Sequence, residues 1–207
     1  MSISADMVRK LREETGAGMM ECKSALVEAK GDGDAARDIL RKKGLASAAK
    51  KAGRAANEGQ VGSYIHQGGR VGVLVEVNCE TDFVAKTPEF AQLVKDIAMH
   101  IAAASPAAAL YVTKEEVPAD VLEKEREIYK AQAVASGKPP NVVEKIAEGK
   151  LKEYYSTFCL LEQPYIREPK MTIGQLIQEK IAVIKENIVV RRFSRFRLGE
   201  EVSSTQS

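Results

Sequence analysis

The chain has 207 residues, 44% of them hydrophobic and 29% charged, and its 31 Lys and Arg against 29 Asp and Glu leave a net charge of +2. That balance excludes a disordered polyelectrolyte, and the length admits one or two domains of about 100 residues each. No run approaches the ~18 apolar residues of a membrane span and no secretory segment opens the sequence, so neither a membrane nor a secreted protein is expected, and a cytoplasmic one is.

The first segment predicts three short helices. Ser4 caps one carrying Met7, Val8 and Leu11, which stops at Thr15-Gly16. After Gly16-Ala17-Gly18 a second carries Ala25, Leu26 and Ala29 and ends at Gly31. Asp34 is expected to cap a third, with Ile39 and Leu40 on its apolar face and Gly44 as its stop. A bundle of this size is too small for a deep pocket and suits docking. Residues 1–55 hold 12 Lys/Arg and 8 Asp/Glu, 12 − 8 = +4, so the rest of the chain carries −2. Leu45 to Asn57, rich in Ala and Lys, reads as a helical connector, and Lys50, Lys51 and Arg54 either touch nucleic acid or, as so few charges without aromatic partners favour, form its solvated face.

From residue 60 the period changes to two. Val61, Ser63 and Ile65 alternate, Gln67-Gly68-Gly69 turns the chain, and Val71, Val73, Val75 and Val77 share a face, which is the pattern of a β-hairpin. A polar turn leads to a helix from Pro88 to Ala103, carrying Phe90, Leu93, Val94, Ile97 and Ile101 and broken by Ser105-Pro106. Two further helices, Val121–Ala135 and one capped by Asn141, flank a Gly137/Pro139-Pro140 turn and should form an antiparallel hairpin projecting from the core. A strand at Thr157–Leu161, a helix near Thr172–Lys180, a last strand from Ile188 to Leu198 and a frayed tail at Gly199–Ser207 complete the expected order. The fold class is α+β, with a three-helix docking domain and connector at 1–56, a core at 57–198 with the hairpin 121–157 inserted, and the tail at 199–207. A small antiparallel sheet covered by helices on one face leaves the other to bury, and a second copy of the chain would cover it, so a homodimer is expected.

Catalytic patterns do not emerge. There is no GxxxxGK[ST], HExxH or GxSxG, and Gly16-Ala17-Gly18 has no preceding strand to make a dinucleotide fingerprint. Cys22, Cys79 and Cys159 are odd in number and far apart, which reads as buried free thiols, not a metal site. His100 sits in an apolar helix as a packing residue. No metal, cofactor or enzymatic activity is expected. What stands out is apolar material at loops. Met19-Met20 follow a turn at a helix start, where flexible thioethers serve either an adaptable docking surface or core filling. Phe83, on the polar turn leaving a strand, is either folded back or presented to a partner.

Two longer stretches carry a resemblance. Thr15-Gly16-Ala17-Gly18-Met19-Met20-Glu21-Cys22-Lys23-Ser24-Ala25-Leu26 and Val77-Asn78-Cys79-Glu80-Thr81-Asp82-Phe83-Val84-Ala85 closely match the two signatures of the bacterial elongation factor Ts family. Gly62-Ser63-Tyr64-Ile65-His66, Gly72-Val73-Leu74-Val75, Ala98-Met99-His100-Ile101-Ala102-Ala103 and Ser136-Gly137-Lys138-Pro139 are similar to it as well, and the likeness covers essentially residues 3–200. The resemblance implies a ubiquitin-associated-like three-helix domain, an α+β core and a projecting helical coiled coil. It implies guanine nucleotide exchange on elongation factor Tu, the GTPase that delivers aminoacyl-tRNA. Leu11, Arg12, Met19 and Met20 would dock the N-terminal domain on that GTPase. Asp82 and Phe83 would enter near its magnesium site, with Thr81 and Val84 beside them among the partner-binding residues, and His66 would face another of its domains. Longer family members carry two core subdomains. This chain resembles the short form with one, which implies a homodimer supplying the missing half. The competing expectation is a ribosome- or RNA-binding protein using the basic N-terminal half, against which a net +2 and the lack of interleaved aromatics both weigh.

Overall fold

The computed structural model describes residues 3–103 and 108–200. The expected Ser105-Pro106 break and most of the tail, residues 201–207, lie outside them. Two compact units appear, one comprising residues 1–59, 78–90 and 175–189, the other 60–77, 91–174 and 190–207. Among the described residues the fold is α+β, and no helix is long and apolar enough to cross a membrane.

The first unit opens with α1 (Ala5–Thr15), α2 (Met19–Glu28) and α3 (Gly33–Lys51). Ser4 accepts the Met7 N–H at 3.2 Å, and Gly16, at φ 65, takes the left-handed conformation that ends α1. Val8, Leu11, Cys22, Ala25, Leu26 and Ala36 form the buried centre of the three helices, with Ile39 and Leu40 packed against it. Two expectations are corrected here. The cap of α3 is Asp32, whose Oδ1 accepts the N–H groups of Asp34 and Ala35 at 2.9 and 3.0 Å, so Asp34 is already inside the first turn. Nor does α3 stop at Gly44, because it runs on to Lys51. Gly44 is there for closeness: a Cβ on it would stand 2.9 Å from the Cβ of Ala182, on α8 (Ile173–Ile184). The same unit holds a one-turn helix, α4 (Asp82–Ala85), where the sequence suggested only a polar turn.

The second unit holds most of a three-stranded sheet, β1 (Glu58–Ile65), β2 (Val71–Cys79) and β5 (Ile188–Arg197), in the order β1-β2-β5. The β1–β2 turn closes through His66 N–H to Val71 O at 2.8 Å, with Gly68 and Gly69 at φ 88 and 67. β5 runs antiparallel to β2, as Arg192 meets Glu76 at 2.7 Å and Leu198 N–H donates to Arg70 O at 2.9 Å. Val73, Val75 and Val77 are buried on one face. α5 (Pro88–Ala103) buries Phe90, Leu93, Val94, Ile97 and Ile101, as its spacing predicts. Gly62 lets Val94 sit against β1, since a Cβ there would collide with the Val94 Cγ1.

Later in that unit α6 (Ala119–Ala135) and α7 (Pro140–Phe158) lie side by side, joined through Gly137 at φ 70. Glu144 accepts Arg126 and Lys130 at 3.5 and 3.0 Å, while Val121 and Leu122 pack on the cluster of Val117, Tyr154 and Cys159. Pro139, not Asn141, occupies the cap position of α7, and Pro140 fills its first turn, where a missing N–H is harmless. The expected strand at Thr157–Leu161 is absent. α7 continues to Phe158 and a 3₁₀ turn follows at Leu160–Glu162, leaving only an isolated bridge between Cys159 and Tyr111. Thr157 stays helical with its hydroxyl donating to Glu153 O at 2.8 Å, so its β-branched preference is overridden. A second, two-stranded sheet, β3 (Pro164–Tyr165) with β4 (Glu168–Thr172), had no counterpart in the sequence reading. The three cysteines are free and buried.

Candidate partner-binding site

The loop leaving β2 is anchored by charge from another segment of the first unit. Glu186 accepts the N–H groups of Glu80 and Thr81 on Oε2 at 3.1 and 3.0 Å, and the Thr81 hydroxyl on Oε1 at 2.7 Å. Because that hydroxyl donates to Glu186, its lone pair faces the Val84 N–H, 3.4 Å away, and Thr81 becomes the N-cap of α4. Asn187 completes the anchorage. Its N–H donates to Glu80 Oε1 at 2.6 Å, and its Nδ2 to Arg54 O at 2.8 Å.

On this fixed loop Phe83 is 80% exposed. The alternative in which the ring folds back is thereby settled: it stands in solvent at the second position of α4. Asp82 is half-buried and pairs with Lys86 at 2.6 Å, an i,i+4 contact that holds its carboxyl below the usual range and the Lys86 ammonium above its own. Val84 is half-buried, and Ala85 turns inward. Cys79, beneath the loop, donates to Thr81 O at 3.2 Å, and burial, with Glu186 nearby, pushes its thiol pKa up. It is a packing residue, not a nucleophile.

The α1–α2 corner presents a second set of apolar groups. Met20 is 72% exposed and Met19 48%, so neither is a core residue at this helix start. Arg12 is exposed as well. Leu11 is not: at 3% exposure it belongs to the three-helix centre, and whatever it does for docking it does by supporting its neighbours. Glu21 organises the corner. Its Oε2 accepts the Gly18 N–H at 3.0 Å, half of a capping box, and its Oε1 accepts Lys185 at 2.8 Å, which holds its carboxyl below the ordinary range. The Gly18-to-Glu21 spacing could have announced this cap. Nothing in the local pattern announces Lys185 or Glu186.

His66 lies in the second unit, exposed on the β1–β2 turn, with its Nδ1 3.3 Å from the Tyr64 hydroxyl. The basic run of the connector is partly spent on structure. Lys51 is buried with its Nζ 2.6 Å from Ser47 Oγ, and Arg54 pairs with Glu80 at 3.4 Å. Among the described residues no group of three or more His, Cys, Asp or Glu is arranged to hold a metal ion.

An exposed aromatic ring and a pair of exposed methionines, with no metal-binding cluster among the described residues, are features of a surface for contact with another protein. The family profile described as elongation factor TS matches residues 34–200. The chain is 62% identical to the elongation factor Ts of Caldanaerobacter subterraneus subsp. tengcongensis over 200 residues, covering 97% of this chain and 98% of that protein. It is 59% identical over 207 residues to that of Geotalea daltonii, covering 100% of this chain and 94% of the relative. A third, from Carboxydothermus hydrogenoformans, is 60% identical over 204 residues, covering 99% and 93%. The chain belongs to the elongation factor Ts family, nucleotide exchange factors of translation elongation that act on elongation factor Tu.

Proposed function

We propose that this chain releases GDP from elongation factor Tu by inserting Phe83 next to the partner's magnesium and phosphate site. The observation that carries the proposal is the 80% exposure of a large aromatic side chain on a loop whose backbone is hydrogen-bonded in place. A GTPase holds GDP through a phosphate-binding loop and Mg²⁺. A ring wedged beside them displaces metal ligands, and GDP affinity falls. Linkage then requires GDP to weaken the grip of this chain by the same factor, so the complex is nucleotide-free and dissolves when GTP rebinds. Asp82 and Val84 flank the wedge, and Thr81 caps the helix that bears it. The three-helix segment, in a ubiquitin-associated-like arrangement, docks on the GTPase domain through Arg12, Met19 and Met20 with Leu11 beneath. His66 meets a second domain of the partner. α6 and α7 serve as a projecting arm.

A homodimer is part of the same reading. Val61, Ile65, Leu74, Phe196 and Leu198 are exposed along β1, β2 and the end of β5, and a second copy would cover them. The setting is the cytoplasm, with no direct contact to nucleic acid. The burial of Lys51 and the pairing of Arg54 leave little of the connector's charge for phosphate, which disfavours the RNA-binding alternative.

The test is release of a fluorescent GDP from elongation factor Tu with and without the chain. Phe83→Ala should slow stimulated release by about tenfold or more, a loss of ~1.4 kcal/mol per decade in barrier lowering. Its thermal melt should stay within about 0.5 kcal/mol of the parent, since the removed ring is solvent-exposed. Unchanged release would refute the wedge.

A further inference from the structure

Both partner-facing loops of the first unit hang from one turn, the two residues that leave α8. Lys185 adopts φ 70, a conformation uncommon for a long side chain, while its N–H closes α8 on Ile181 O at 2.9 Å. From that bend its ammonium holds Glu21 Oε1 at 2.8 Å, and the other oxygen of Glu21 holds the Gly18 N–H at the head of α2, where Met19 and Met20 stand. The next residue reaches the opposite way. Glu186 gathers three donors from Glu80 and Thr81, at 3.1, 3.0 and 2.7 Å.

Phe83 makes this geometry consequential. An exposed ring has no packing to fix it, so its position is that of its backbone. α4 is four residues long, and a helix that short does not hold itself. Its direction is set by the Thr81 peptide and hydroxyl, and both are oriented by Glu186. Without that carboxylate the Thr81 hydroxyl is free to rotate off the Val84 N–H, and the ring samples many positions.

We propose that the Lys185–Glu186 turn is a positioning clamp that presets the two contact elements before the partner arrives. Glu186 fixes the loop that carries Phe83, and Lys185 fixes the α2 start that carries Met19 and Met20. This rests on the reading that Phe83 acts on the GTPase, and it divides the labour in a measurable way. Glu186 governs the maximal rate of exchange, because it acts on insertion. Lys185 governs the concentration that half-saturates the effect, because it acts on docking.

The experiment uses the full chain with Glu186→Ala, Glu186→Gln and Lys185→Met, read in two ways. The first is amide hydrogen exchange of the free protein. In Glu186→Ala the amides of Thr81, Val84 and Ala85 should exchange about tenfold faster or more, with those of α1 to α3 unchanged. Glu186→Gln keeps a carbonyl oxygen for the two backbone donors and should restore most of the protection. The second is GDP release from elongation factor Tu titrated with each variant. Glu186→Ala should lower the maximal rate by about tenfold with half-saturation moved by less than about threefold, and Glu186→Gln should recover most of the rate. Lys185→Met should raise half-saturation by about threefold or more and leave the maximal rate within about twofold. Wild-type protection of Thr81 and Val84 in Glu186→Ala overturns the clamp. So does loss of protection throughout the first unit in both Glu186 variants, or a common shift of both kinetic parameters in all three variants. Should the parent chain itself fail to speed GDP release, the exchange reading fails. The hydrogen-exchange result alone then decides the clamp, local loss upholding it and unchanged or unit-wide loss overturning it.

Discussion

At the scale of single residues, His100 is a buried titratable group outside the contact loops. It is 3% exposed, and its Nδ1 accepts the Ile166 N–H at 3.3 Å, which puts the ring proton on Nε2. Nε2 lies 3.0 Å from Gln163 Oε1, and Gln163 in turn donates to Thr157 O at 2.7 Å. Burial lowers the pKa of His100, opposed in part by the Gln163 bond. A folded pKa below the unfolded one means that the unfolded chain binds the extra proton first, so the neutral ring's contribution is complete above about pH 6.5 and is lost as pH falls below it. Urea midpoints at pH 7.5 and 5.5 should therefore drop more for the parent than for His100→Gln, which carries no titrating group there. Parallel pH dependence in the two proteins would show that the ring is not held neutral. The same residue illustrates what a sequence can and cannot say. An apolar helix around His100 implied burial, but the tautomer is decided by Ile166 and Gln163, more than sixty positions away.

At the scale of elements, amphipathic period was readable and special glycines were not. α5 and the β1–β2 hairpin follow from their apolar spacing because each packs one face against the rest of the protein. Gly44 misled for a physical reason. Glycine disfavours a helix interior by about 1 kcal/mol, so it reads as a stop, yet here the space it leaves is filled by Ala182. Those two terms set up a test. Gly44→Ala gains about 1 kcal/mol of helix propensity but forces α3 and α8 apart, and overpacking of this kind costs about 1–3 kcal/mol. The net should be destabilising by about 1 kcal/mol, read as a lower urea midpoint, whereas Gly33→Ala, with open space around its Cβ, should not destabilise. Gains at both positions would mean that the helices separate freely. α4 escaped notice because four residues carry no period. The anchorage of its loop escaped because Glu186 stands 105 positions from Thr81, and no local pattern encodes a partner at that distance. The resemblance pointed to Phe83 as the contact, and the structure supplies what holds it out.

At the scale of the whole molecule, the face of the sheet left by α5 carries the last prediction. Val61, Ile65, Leu74, Phe196 and Leu198 are all exposed, and Ile65, Gly72, Leu74, Phe196 and Leu198 line one groove. Scattered apolar side chains need no explanation, but four exposed ones gathered in one groove, with Ser63, Arg70 and Arg197 among them, do. In a two-fold pair each copy contributes the same five, so ten side chains leave water together. At about 1 kcal/mol each, below the ~1.5–3 of a fully exposed side chain fully buried, they supply ~10 kcal/mol. Lost translational and rotational freedom takes ~4–15 kcal/mol. With the cost near the low end of that range about 6 kcal/mol is left, a dissociation constant of some tens of micromolar, so the pair is weak and should not survive one charge at its centre. Sedimentation equilibrium at tens of micromolar should find a mean mass above the 22.6 kDa of one chain, rising toward twice that with concentration. Phe196→Asp should sediment as a monomer with an unchanged circular dichroism spectrum, because a side chain already in solvent loses nothing inside its own unit. A parent chain that stays monomeric at that concentration would remove the second copy from the account and leave the sheet face to another occupant. A variant that stays dimeric would place the contact elsewhere on the surface.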